Sequence, residues 1–385
     1  MRISLLLMGN ECEPCAPDTI DMSLHVRFLS EQQFGDFRKE WNTLLDQSHA
    51  DSFFLKWEWC HNFWETRQRR HKSTLLACCC YDGDALVGIG PFYGCRTGFS
   101  SRREVRFLGD RIASDFLDIF SLPDYEERVC SAIAKEFVAM PHDMMFFSGV
   151  AASSSICRSF VDSIKNAHTK PFTVAPRATL PRSFEDYFGS LSRATRYMIR
   201  RKQRAVQRDY AVSFEARPIA RNHDMLDLLF LLHHKRWNQK AGASSTFHSH
   251  YRKHFNTTLI DRLEPEDGFF FIMNANTEPV SILYCFVYKH SVFFYQNGWE
   301  PAFERYSVGL LTIKEAVEYS IERGMRKFEF LRGPERYKKH FAREERHLSQ
   351  LVSYADTLRG RSAQATELIR THLRKTKNSI VKLKN

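Results

Sequence analysis

Residues 293–317 read Phe293-Phe-Tyr-Gln-Asn-Gly-Trp-Glu-Pro-Ala-Phe-Glu-Arg-Tyr-Ser-Val-Gly-Leu-Leu-Thr-Ile-Lys-Glu-Ala-Val317, and the change of period inside this stretch decides the fold. As far as Trp299 the run is aromatic and strand-like; Pro301 then marks a loop. From Ser307 onward Leu310, Ile313, Val317 and Ile321 recur at helical spacing, with Ser307 placed as an N-cap and Gly324 as a terminator. Strand, loop and helix in this order form an α/β unit. The first amides of such a helix lack intrahelical partners and lie at the positive end of its dipole. Ser307, Val308, Gly309 and Leu310 are therefore candidates to hold a phosphate, with Gly309 admitting close approach and Arg305 adding charge. The same pattern also fits an ordinary capped helix.

Working outward, a similar order of elements occurs twice. In the first half, Leu24 to Leu29 reads as a strand, and Glu31 to Asp46 and Phe53 to Arg67 as helices. Ser73 to Tyr81 and Ala85 to Arg96 read as strands joined by the hairpin signal Asp82-Gly-Asp. Further strands fall at Glu104 to Gly109, Asp115 to Leu122 and Met144 to Phe147, with a helix over Tyr125 to Met140 and another over Ser153 to Ala167. The second half has a basic helix from Leu191 to Tyr210, a strand to Arg217, and helices over His223 to Lys240 and His248 to Leu263. Three strands follow, ending at Asn274, Lys289 and Trp299, then the helix above and strands near Lys327 and Leu348. This order predicts an α/β fold of two tandem domains, each a mixed sheet flanked by helices. The expected division is a flexible extension over 1–21, domains over 22–170 and 171–358, and a basic C-terminal helix or tail over 359–385. Pro171, Pro176 and Pro181 punctuate the join.

A chain of 385 residues that is 43% hydrophobic has material for two packed cores. No apolar run approaches the roughly 20 residues of a membrane span, and Ile3 to Met8 is short for a signal peptide, so a cytoplasmic protein is expected. The ten cysteines follow no disulfide spacing. Cys12-x-x-Cys15 lacks a second ligand pair, and no metal is expected. The net charge of +11 is concentrated: the stretches 191–208 and 359–385 carry +7 each, leaving the remainder close to neutral. Arg196, Arg200, Arg204 and Arg208 fall at four-residue steps and predict a basic ridge for an anionic substrate, donor phosphates or RNA. The tail suits solubility or loose contact with a membrane or nucleic acid.

Several segments together resemble a known family. Asn297-Gly-Trp, Ser307-x-Gly-Leu-Leu, Gly324-Met-Arg-Lys-Phe-Glu-Phe-Leu-Arg-Gly and Glu335-Arg-Tyr-Lys look like the C-terminal motifs of GNAT acetyltransferases of the BioF2-like or CelD-like type, relatives of the Fem-type peptidoglycan aminoacyltransferases. Leu191-Ser-Arg-Ala-Thr-Arg-Tyr-Met-Ile-Arg-Arg-Lys, Leu232-His-His-Lys-Arg-Trp, Phe54-Leu-Lys-Trp-Glu-Trp and Val87-Gly-Ile-Gly-Pro-Phe-Tyr add to the likeness, which covers residues 24–357. It implies two GNAT-like domains, the second binding acyl-CoA as co-substrate, and an N-acyltransferase acting on an amine such as an envelope polysaccharide precursor or a sugar or amino-acid metabolite. A Fem-like use of aminoacyl-tRNA is the second reading. A non-catalytic protein that binds anions or nucleic acid on the same scaffold is the third.

A thioester is already activated, so an oriented neutral amine attacks it directly and needs a base only for its proton. The chain shows no nucleophile elbow and no Walker loop, in keeping with direct transfer. Glu329 stands where the family motif has an aspartate and is the candidate base, with Tyr295 and Asn297 beside it in the catalytic set. Arg196, Arg200, Arg204, Trp237, Arg332, Tyr337 and Lys338 are the candidate substrate contacts. Structural readings stand beside these: Glu329 paired with an arginine, His233 and His234 packed or at the surface, and Trp57, Trp59 and Trp64 in the first core.

Overall fold

In the computed structural model the described residues are 24–369, apart from 69–72, 99–100, 111, 113, 155–158, 160–161, 165, 239–244 and 334. The expectations for the extension over 1–21, for Cys12 and Cys15, and for the end of the tail fall outside them. The first half has strands β1 (His25–Phe28), β2 (Ser73–Leu75), β3 (Cys78–Asp82), β4 (Ala85–Gly90), β5 (Phe92–Thr97), β6 (Arg102–Phe107), β7 (Phe120–Ser121) and β8 (Met144–Ala151). Its helices are α1 (Glu31–Asp36), α2 (Arg38–Gln47), α3 (Trp57–Gln68) and α4 (Glu126–Ala139). After β9 (His168–Thr179) come α5 (Phe184–Ser190), α6 (Arg193–Asp209), β10 (Val212–Pro218), α7 (His223–Asn238) and α8 (His250–Ile260). The chain continues through β11 (Gly268–Ala275), β12 (Glu278–Tyr288), β13 (Ser291–Trp299), α9 (Val308–Glu322), β14 (Lys327–Glu329) and β15 (Glu344–Tyr354). The fold is α/β, with two halves built on mixed sheets flanked by helices.

The halves are joined by more than a linker. Strands β1, β3, β4 and β7 make a small sheet, and the other eleven make one sheet in the order β10-β11-β12-β13-β14-β9-β15-β8-β6-β5-β2. The proline-marked join is itself strand β9, so the expected division at 170/171 falls inside a strand. Pro176 stands opposite Glu345, and Pro171 opposite Ser349 beside a register shift, which accommodates a residue without an N–H. Strand β15 lies between β9 and β8 and so bonds to the first half as well as the second. Each half contains one parallel pair, β6 with β8 and β13 with β14.

Two expected strands are bent rather than straight. Ser73 to Tyr81 divides into β2 and β3, and Ala85 to Arg96 into β4 and β5, with the pieces in different sheets. The second break is at Pro91, whose carbonyl accepts from Leu108 N at 2.7 Å. Asp115 to Leu122 pairs only over β7. The aromatic residues Trp57, Trp59 and Trp64 are buried in the first core, which continues into the second half where Phe53 stacks on Phe286 at 4.4 Å and Trp59 meets Phe255 at 4.9 Å. A second core lies under α9 and includes Leu311, Ile313, Val317, Phe294, Phe328 and Phe330.

Candidate acyl-donor site

Helix α9 starts above the end of β13. A cavity of about 250 Å³ opens there, lined by Arg236, Asn297, Trp299, Glu304, Ser307, Val308, Gly309, Leu310, Ile313 and Tyr337. Four of the five residues expected to hold the donor line it, together with Asn297 and Tyr337. The N–H groups of Leu310 and Leu311 donate to the Ser307 carbonyl at 2.9 and 3.2 Å. Those of Val308 and Gly309 find no backbone acceptor among the described residues and lie at the dipole's positive end. Ser307 does not cap with its hydroxyl. It sits in the left-handed region at φ 57°, ψ 46° and turns the chain from the 3₁₀ segment Pro301–Tyr306 into the helix. A Cβ on Gly309 would come within 3.1 Å of Trp299 Cδ1, so the glycine keeps the floor of the cavity open.

A β-bulge decides which side chains reach this cavity. Tyr284 pairs with Gln296 but Cys285 with Phe294, so Tyr295 is the extra residue. Without it Asn297 would share a face with Tyr295; with it Asn297 and Trp299 turn toward α9. Tyr295 faces the other way, among Phe54, Trp59, Tyr284 and Phe286, and donates its hydroxyl to Ile112 O of the first half at 2.8 Å. Burial keeps its phenol raised and protonated.

Arg236, from the segment Leu232-His-His-Lys-Arg-Trp, is the charged group that sequence reasoning missed. Its Nη1 donates to Asn297 Oδ1, its guanidinium lies 5.6 Å from the Trp237 ring and 5.8 Å from that of Trp299, and its Nε has no hydrogen-bond partner. Trp237 flanks the arginine and is not part of the cavity wall. Tyr337 enters from the 3₁₀ turn Arg336–His340, and burial raises its phenol well above the ordinary range. Glu304, exposed at the rim, is the one carboxylate in the lining. Arg305 points away from it, with Tyr306 Oη as its partner and Asp209 at 3.8 Å, while its carbonyl accepts from Lys202 Nζ.

The remaining candidates lie elsewhere. Phe328 and Phe330 pack under α9, so the alternation of the strand sends Glu329 to the opposite face of the sheet from the cavity. Its Oε1 is 3.4 Å from Arg346 Nη1 and 3.9 Å from Arg177 Nη1, its Oε2 has no hydrogen-bond partner, and burial raises its carboxyl to about 7 despite the two arginines. Arg332 pairs with the buried Asp115 at 2.5 Å, and the Lys338 ammonium is taken up by the carbonyls of Leu331 and Arg332 and by Glu335. Arg196 folds back onto the carbonyls of Gly189 and Leu191 at the end of α5, whereas Arg200 and Arg204 stay exposed on α6. His233 is buried between Ser245 Oγ and Trp237 Nε1 and is brought down to about 4 by burial, so it is neutral and structural.

The first half has a cavity of its own, of about 220 Å³, at the start of α4 and unmarked by any sequence motif. Asp51, Asp118, Glu126, His49 and Arg346 line it, and burial raises Asp118 to about 7. With Glu126 and Glu127 opening α4, this helix start opposes a phosphate where that of α9 attracts one.

The fold has counterparts among known families and solved structures. Residues 193–339 match the family described as an acetyltransferase (GNAT) domain. The second half of the chain is thus similar to a GNAT acetyltransferase domain, which supports an acyltransferase. The matched stretch runs from the first residue of α6 to the turn holding Tyr337 and contains the whole α9 cavity. No curated protein matches the sequence. Among solved structures, FemX has the same fold at 9% identity, with a TM-score of 0.60 over 86% of this chain and 98% of that one. A conserved protein of unknown function from Bacteroides thetaiotaomicron aligns at 9% identity and TM-score 0.56 over 86% and 99% of the two chains. The C-terminal domain of a putative lysylphosphatidylglycerol synthetase from Agrobacterium fabrum aligns at 9% and 0.53 over 88% and 97%. These likenesses concern the fold. Among the described residues no helix is long and apolar enough to cross a membrane.

Proposed function

We propose that this protein moves an acyl group from acyl-CoA to an amine, with the donor pyrophosphate at the start of α9. The observation that carries this is the meeting of the free Val308 and Gly309 amides with the Arg236 guanidinium in one cavity. Strands β13 and β14 pair only over Ser291–Phe293 and Lys327–Glu329, so beyond Phe293 they part. A thioester carried along β13 reaches the opposite face through that gap. The amine attacks there: its nitrogen bonds the thioester carbon, the carbon–sulfur bond breaks, and the excess proton passes to Glu329. The departing thiolate stays on the α9 side, where Tyr337, kept protonated by burial, donates to it. The Arg346 guanidinium, 3.2 Å from Asp51 and 3.4 Å from Glu329, links this face to the first-half cavity. The acceptor class that fits is a small amine, including amino sugars of envelope precursors.

Calorimetry with acetyl-CoA tests the donor. Gly309→Asp places a carboxylate among the cavity amides and should weaken binding by roughly a hundredfold through like-charge contact, with the unfolding temperature checked separately because Trp299 must shift. Unchanged affinity in a folded variant would place the donor elsewhere.

A further inference from the structure

We infer that the outer face of α6 is a docking surface for an anionic lipid bilayer. At 100° per residue, Arg193, Tyr197, Arg200, Arg201, Arg204 and Arg208 fall within an arc of about 100° and along roughly 22 Å of helix. All six are exposed, and Tyr197 stands at the centre of the arc with 62% of its surface open. Thr195, Ile199 and Val206 occupy the opposite side and fix the helix to the body. Arg196, which sequence spacing placed on the ridge, is withdrawn from it by its carbonyl partners at the end of α5. The face keeps its charge: Arg208 pairs with Asp209, and Arg193, Arg200, Arg201 and Arg204 make no ion pair among the described residues. Five guanidiniums on one helical face repel one another, and an anionic surface relieves that cost.

The shape of the face selects the partner. A recognition helix meets a major groove with a few residues at its N-terminal end, whereas the exposed arginines here run the whole length of α6. Single-stranded nucleic acid is held by several aromatic platforms, and this face has one. A bilayer is flat over the length of the helix and meets the positive charges of the face together, with the Tyr197 ring at headgroup depth. The face has no aliphatic wedge, so the contact is peripheral, salt-sensitive and reversible.

The test uses the full chain with vesicles of phosphatidylcholine, alone or mixed with phosphatidylglycerol. Binding is expected only to the mixed vesicles and should fall as salt rises. Combining Arg200→Gln, Arg201→Gln and Arg204→Gln should weaken it about a hundredfold, while the three corresponding lysine substitutions should retain it. Circular dichroism and the unfolding temperature report on whether each variant is folded. In the wild type, amide exchange over 193–208 should slow on mixed vesicles, which localises the contact without substitution and separates it from the basic segment 359–385. Equal binding to both vesicle types, unchanged exchange over 193–208, or full binding by the glutamine variant would overturn the inference. So would release from vesicles by transfer RNA at the same salt, which would assign the face to nucleic acid instead.

Discussion

Glu329 is a carboxyl with an ionisable partner on each side and an oxygen left without a hydrogen bond, and its consequences can be worked out at the level of one residue. Burial holds its proton to about pH 7, against an ordinary value of 4.5. The folded chain therefore binds more protons than the unfolded chain between those values, so this residue's contribution to stability is full below about 4.5 and is lost as pH rises to about 7. Asp118 has the same sign, also rising to about 7. Glu329→Gln should reduce this slope in thermal unfolding across that window, leaving the Asp118 part. As the amine's base it should also give a kcat/KM that climbs through pH 7; the glutamine variant should lose that limb and about a hundredfold or more in rate. A variant that keeps both rate and pH profile would remove Glu329 from the chemistry. Glu304 has the opposite effect on the donor: as the carboxylate at the cavity rim it opposes a pyrophosphate, and Glu304→Gln should tighten acetyl-CoA binding by roughly twofold to fivefold, read by calorimetry. Of these residues Glu329 was a candidate in sequence because it stands where the motif of the resembled family has an aspartate. Arg236 was not, since helical spacing does not show which residue of His233 to Trp237 turns toward Asn297.

At the scale of elements, local pattern was informative wherever the element decided its own conformation. Strand β13 was delimited correctly, and α9 differs from its expectation by one residue at each end. The bulge at Tyr295 was invisible because its cause lies in the pairing of β12 with β13, yet it alone turns Asn297 into the cavity. Strand β9 was hidden by its prolines, which the local code reads as punctuation and the sheet tolerates through a register shift. The basic segment was seen as one helix from Leu191, whereas Ser192 starts α6 as an N-cap: its Oγ accepts from Thr195 N at 3.1 Å. Ser192→Ala should cost about 1 kcal/mol in chemical denaturation, enough to fray the face that carries Arg193 and Tyr197. A fully retained stability would mean that packing of Thr195 and Ile199 alone sets the start of the helix.

For the whole molecule, the tandem repetition seen in sequence concealed how far the halves depend on each other. Lys289 of the β12–β13 turn donates to the carbonyls of Leu45, Ser48 and Ala50 at 2.8, 2.6 and 2.9 Å, Asn62 donates to Phe255 O at 2.9 Å, and Lys56 pairs with Asp267. Asp115 is fully buried against Arg332, and one hydrophobic core runs across the boundary. Since β15 is hydrogen-bonded on both edges, cutting at 170/171 removes β8 from one edge, truncates β9 on the other and exposes the Phe286 and Tyr295 cluster. The fragment 171–358 should therefore fail to fold alone, although it contains the entire matched GNAT domain. The full chain should unfold in one cooperative step, with tryptophan fluorescence and circular dichroism changing together. Two separated transitions, or a fragment with native circular dichroism that binds acetyl-CoA, would show the second half to be an independent unit. Within the intact chain Asp115→Ala provides the same test at lower perturbation: it leaves Arg332 beside a buried vacancy and should cost roughly 3 kcal/mol, shifting the single transition without dividing it.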